Sequence, residues 1–145
     1  MPTMFCSDHE IERIGRGLID RSLPKSEWTH AAHFAAVLWL MRVRRDLDLT
    51  AEMPKLIRAY NEATGVANTD SGGYHETITL ASIRAARSIL ERHSDSVPLY
   101  RVANELMLCE LGRSAWLLRY WSRMRLFSVA ARRLWVEPDL IGLPF

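Results

Sequence analysis

Cysteine is nearly missing from this chain of 145 residues: Cys6 and Cys109 stand alone, in no CxxC spacing. Two such thiols cannot build a disulfide framework, so the expected setting is a reducing, cytoplasmic compartment. Long apolar runs are missing too. The longest, Phe34 to Met41, has eight residues, far fewer than the ~20 that cross a bilayer. The opening MPTMFCSDHE has no basic stretch followed by an apolar core, and so does not read as a secretory signal. Glycine and proline number only seven and six, which excludes collagen-like and low-complexity classes.

Charge of one sign is also lacking. Residues 1–72 carry nine basic and ten acidic side chains, and residues 73–145 carry ten and seven. Net charges of −1 and +3 are far from the basic patch of a dedicated nucleic-acid binder, so no nucleic-acid partner is expected. Only Lys25 and Lys55 among the 19 basic residues are lysine, a bias better explained by coding than by phosphate recognition. Around Arg113, Arg119, Arg123, Arg125, Arg132 and Arg133, aromatics are interleaved in a way that could suit single-stranded nucleic acid. Leu117, Tyr120, Trp121, Met124 and Phe127 nevertheless recur as an apolar stripe, which is read as core.

What the chain does have is 48% apolar residues at helical spacing. No alternating strand pattern of useful length and no internal repeat interrupts them. The reading is all-α: one compact, bundle-like domain of five to six helices spanning residues 1–145. An N-terminal helix over Asp8 to Arg21 and a linker occupy residues 1–25. A second helix, from Ser26 or Glu27 to about Arg45, is apolar nearly all round and forms the buried centre at residues 28–43. Thr50 would cap a third helix over Ala51 to Ala63, with Pro54 in its first turn. Further helices follow over Tyr74 to His93, Leu99 to Leu111 and Ser114 to about Leu134, the last with a break at Ser128. Residues 135–145 are expected to be an extended tail.

Two polar pairs interrupt the apolar faces. His30 and His33, three apart on the second helix, present their side chains on one face ~5–6 Å apart. His75 and Glu76 open the fourth helix after Gly72-Gly73, where the helix dipole favours a neutral imidazole and an ionised carboxylate. A helical wheel sets Thr79, Ser82, Ile83, Ala86 and Ile89 on the buried side of that helix, and Thr77, Arg84, Arg87, Ser88 and Glu91 towards solvent. His30, His33, His75 and Glu76 together form a candidate shell for Zn, Fe, Mn or Ni. The spacing is less specific than HExxH, and the same residues could simply bond to one another and to nearby hydroxyls. Without metal, Glu76 or neutral His75 is the candidate general base and Arg132 the candidate clamp for an anionic substrate. The amides after Gly73 could also meet an anion, although GxxxxGK[ST] is absent.

Three motifs carry a resemblance. Trp28-Thr29-His30-Ala31-Ala32-His33, Asn61-Glu62-Ala63-Thr64-Gly65 and Gly73-Tyr74-His75-Glu76-Thr77-Ile78-Thr79 resemble a family of small bacterial helical proteins without a settled activity. Tyr120-Trp121-Ser122, Ser128, Ala131-Arg132 and Val136-Glu137-Pro138-Asp139-Leu140 resemble that family's C-terminal signature. The resemblance spans most of residues 26–141 and implies where a site lies without naming a reaction.

The functional expectation is a small-molecule enzyme with its site between the second and fourth helices. Neither cysteine is a candidate nucleophile, and no G-x-S-x-G elbow frames Ser122 or Ser128. The competing class is a non-catalytic helical module that binds a small ligand or a partner protein, a homodimer included, with Trp116, Trp121 and Trp135 as anchors.

Overall fold

A computed structural model describes residues 4–145. Among them there is no strand, and seven helices and three 3-10 turns form one compact domain. The all-α reading holds. No helix is long and apolar enough to cross a membrane among the described residues.

Five longer helices build the body. α1 (Asp8–Ile19) is capped by Ser7, whose hydroxyl accepts from the Glu10 amide. Its Gly15 lies flat on α2, where a Cβ would stand 2.3 Å from the Trp39 ring. α2 (His30–Val43) buries every residue from Phe34 to Leu40, because α1, α3, α4 and α5 all pack against it. A helix surrounded this way needs no polar face, which is why its apolar residues show so little sidedness.

Its start differs from the sequence expectation. Pro24 leads into a separate 3-10 turn at Lys25–Glu27, and Thr29 then caps α2 by accepting from Ala32 N. α2 thus begins later than expected, whereas α3 (Leu49–Ala63) begins two residues early. Asp48 caps it through Thr50 N, a carboxylate being at least as good a cap as the Thr50 hydroxyl. Pro54 therefore lies beyond the first turn, where its nitrogen cannot bond back to Thr50.

α4 (Glu76–Leu90) and α5 (Leu99–Leu108) complete the body. The expected solvent side of α4 is wrong at Thr77, which is 0% exposed. Its hydroxyl donates to Leu134 O at 2.8 Å and accepts from Val136 N at 3.2 Å. The C-terminal tail runs over that face of α4.

The expected long sixth helix does not exist. Residues 116–133 form a 3-10 turn at Trp116–Arg119 and two short helices, α6 (Arg123–Leu126) and α7 (Val129–Arg133). Ser122 and Ser128 restart the chain as caps, accepting from Arg125 N and Ala131 N. Breaking the helix splits the expected apolar stripe. Leu117, Tyr120 and Trp121 are core, whereas Met124 is 89% and Phe127 53% exposed. The extended tail is then bound by specific groups: Trp121 Nε1 donates to Val136 O, Leu140 N to Tyr120 O, and Asp139 accepts from Ser122 N and Oγ.

Candidate functional site

The loop between α3 and α4 is fixed by one side chain. Asn68 accepts from Tyr74 N and from Asn61 Nδ2, both at 3.0 Å, while its own amide donates to Arg58 O at 3.1 Å. Gly73 closes against it with φ +78°, and a Cβ there would stand 2.4 Å from Ala67 O. Only glycine meets both demands. The close approach delivers Tyr74 and His75 to the top of α4.

A cavity of about 420 Å³ opens where this loop meets α2, α3 and the segment 114–117, a size typical of small-molecule sites. His30, His33 and His75 all line it. The sequence expectation of a site between the second and fourth helices thus coincides with a real concavity. Glu76 and Arg132 do not line it.

The three histidines differ in what their nitrogens do. His75 lies just outside the helix, as the cap of α4: its Nδ1 accepts from Ile78 N at 3.2 Å. Accepting at Nδ1 leaves the ring proton on Nε2, which lies 2.7 Å from Leu126 O and donates to it. Both nitrogens are occupied within the protein. Burial holds the His75 imidazole below its ordinary pKa, with Arg132 adding to the fall and the Leu126 carbonyl opposing it.

His30, the first residue of α2, places Nε2 2.8 Å from Leu111 O and its ring edge against Phe34. His33 has neither tie. Its ring lies 3.9 Å from that of Trp28 and is exposed, lining the cavity. Desolvation, then the neighbouring His30, lower its pKa to about 4. His33 is therefore neutral near pH 7, with one lone pair and one N–H free of partners among the described residues.

Glu76 and Arg132 have structural partners. Tyr74 Oη donates a short hydrogen bond to Glu76 Oε1, and burial, then this carboxylate, push the Tyr74 phenol up. Arg132 Nη1 donates to Gly73 O and Tyr74 O, each at 3.2 Å. The guanidinium holds the backbone that carries His75, and the adjacent Arg133 pairs with Asp70 of the same loop. Among the described residues no three His, Cys, Asp or Glu side chains converge as one metal shell.

Trp116 is the residue that sequence reasoning placed elsewhere. Expected as a protein-interface anchor, it is 2% exposed and lines the cavity. Among the described residues its buried Nε1–H has no hydrogen-bond partner. Trp121, the second expected anchor, is fully buried in the core. A tryptophan in a sequence carries no signal of whether its polar edge will find a partner.

Set against protein-family models, curated proteins and solved structures, the chain matches none of them.

Proposed function

We propose that the chain is a small-molecule enzyme whose substrate occupies the cavity between α2 and α4, with His33 as the group that exchanges hydrogen bonds or a proton with it. One observation carries the reading: a neutral imidazole faces a cavity of ligand size with neither nitrogen tied to any described residue. Structural histidines are ordinarily bonded, as His75 is here. A neutral imidazole can accept at one nitrogen and donate at the other, so it can relay a proton or polarise a carbonyl. His75, Glu76 and Arg132 have a supporting part, holding the loop and helix end that wall the site.

A metal-dependent version of the same site would draw on His30 and His33 first, since both line the cavity. To join them, His75 would have to release Leu126 O or Ile78 N. Reconstitution with Zn, Fe, Mn or Ni followed by elemental analysis tests that version. Stoichiometric metal in the parent that is lost in His33→Ala would establish it.

The enzyme reading is tested by incubating the protein with a metabolite extract and following it by mass spectrometry, beside His33→Gln. The expected result is a compound consumed by the parent and left intact by the variant. A compound that the parent retains unchanged would make the chain a binding module, the competing class. Equal consumption by parent and variant would remove His33 from the chemistry.

A further inference from the structure

Residues 113–141 hold six arginines and two acids, neither acid before Glu137. The same stretch carries most of the large apolar side chains that the fold leaves exposed. Met124 is almost wholly exposed, and Phe127, Leu140 and Ile141 are each more than half exposed. Met124 and Phe127 stand three apart on the turn of α6, so they share a face. The tail brings Leu140 and Ile141 to the start of the same helix: Asp139 accepts from Ser122 N and Oγ, both at 2.7 Å, Leu140 N donates to Tyr120 O at 2.9 Å, and Arg125 Nε donates to Glu137 O at 2.6 Å. Single apolar residues scattered over a surface are ordinary, but a cluster of them marks a contact.

Cations frame this apolar face. Arg123 and Arg125 flank Met124 in the chain, and both are exposed. Among the described residues Arg123 has no acidic partner, and Arg125 bonds to the uncharged Glu137 carbonyl, with Asp139 near enough to feel its charge. The two acids are engaged in the tail itself: Glu137 Oε1 accepts from Trp135 Nε1 at 2.9 Å, and Asp139 holds Ser122. Even with Arg119 paired to Glu110 and Arg133 to Asp70, the stretch keeps an excess of positive charge. That sign argues against a second copy of the chain, because a two-fold contact here would set Arg123 and Arg125 of one copy against those of the other. A projecting apolar side chain with cations at its base fits a phase that is apolar within and anionic at its rim.

We infer that this face docks on the surface of an anionic phospholipid bilayer, with Met124 and Phe127 entering the acyl boundary and Arg123 and Arg125 meeting the headgroup anions. This is attachment without a span, as suits a chain in which no described helix can cross a membrane. The four-residue α6 that exposes Met124 also gives its buried Leu126 carbonyl to His75, so the docking face and the cavity wall are two sides of one element. The attachment does not depend on the enzyme reading.

The test is co-sedimentation of the unmodified chain with vesicles of phosphatidylcholine alone and with vesicles in which about 30% of the lipid is phosphatidylserine. At about 0.1 M salt the anionic vesicles should bind at least about tenfold more tightly than the neutral ones, and the difference should shrink at about 0.5 M. Met124→Ser combined with Phe127→Ser should weaken binding to the anionic vesicles by at least about tenfold, and Arg123→Gln by about fivefold. These side chains being exposed, neither change should move the thermal melt appreciably. No binding to either vesicle, equal binding to both, or binding that both variants leave intact would overturn the proposal. Two such failures would name another occupant. A dimer of the parent in sedimentation velocity, lost in the double variant and without vesicle binding, would assign the face to a second copy; tight binding of polyglutamate in place of vesicles would assign it to an acidic protein. If the double variant does not fold, the vesicle comparison on the parent and Arg123→Gln decide alone.

Discussion

Two walls of one cavity each carry a histidine, and the two are opposites. His75 stands where the backbone runs out of partners: at the N-terminus of α4, whose amides lack acceptors, and beside Leu126, whose carbonyl ends a four-residue helix. Helix ends leave such groups unsatisfied, and His75 answers one at each nitrogen. His33 is the fourth residue of α2, inside a helix already started by the Thr29 cap. Its ring bonds to no backbone group among the described residues. The same side chain is thus structural where backbone ends meet and available for chemistry where the backbone is complete.

The largest effect expected from breaking this contrast is on stability at His75. His75→Ala removes a helix cap, worth about 1 kcal/mol, and leaves Leu126 O without its donor, worth a further ~1–3 kcal/mol. Urea denaturation should show a loss near that total. His75→Asn, able to cap but too short to reach Leu126, should recover only the first part. An alanine variant as stable as the parent would mean that neither bond matters and that the two walls are alike.

Acid should sharpen the contrast next. In the unfolded chain the His33 imidazole titrates near its ordinary 6.5, and in the folded chain near 4. Between those values the unfolded state binds the extra proton, so its stability contribution is whole above about pH 6.5 and falls as the pH drops towards 4. His75, also lowered, acts in the same direction. Melting temperature followed from about pH 7 to about pH 4.5 should fall, and His33→Gln should flatten part of the slope. Because His33 is open to the cavity, hydration limits how steep its share can be. An unchanged slope in the variant would place the acid sensitivity wholly at His75 or elsewhere.

A smaller effect is expected at Arg132, which decides between two roles for the wall behind His75. Bonded to Gly73 O and Tyr74 O, it should cost on the order of 1 kcal/mol when replaced by Gln. The charge preference of cavity ligands should not change. A specific loss of anion binding in Arg132→Gln would restore the clamp expected from the sequence.

How much of this was legible beforehand follows from the range of each interaction. Periodicity located the body helices, and the eight-residue apolar run marked the central one, because burial of a whole helix is written in its own residues. The Ser128 break is legible as a cap, whereas nothing marks Ser122 as one, so Met124 and Phe127 fall in the expected core stripe. His30 and His33 share a helix face as their spacing predicts, whereas His75 reaches the same cavity as a cap outside α4. Which nitrogen is free is not legible, since Leu111 O and Leu126 O are backbone groups 81 and 51 residues away. Nothing in a sequence marks a carbonyl as unpartnered. Arg132 misled for the same reason: its two acceptors are main-chain oxygens of the Gly73 loop.

The smallest effect on folding should come from the residue with the largest functional claim. His33→Ala deletes no protein hydrogen bond and loses chiefly the contact with Trp28 at 3.9 Å. It also removes a group whose charging opposes folding in acid. Near pH 7 the change in stability should stay within about 1 kcal/mol in either direction, well below that of His75→Ala. Binding of a ligand in the cavity, in contrast, should weaken by about three- to tenfold if His33 bonds to it. Residues that hold a fold and residues that serve a ligand separate on these two axes, because a functional group kept free of partners contributes little to the folded state until its ligand arrives. A His33→Ala protein destabilised as severely as His75→Ala, with ligand binding per folded molecule unchanged, would make both histidines structural.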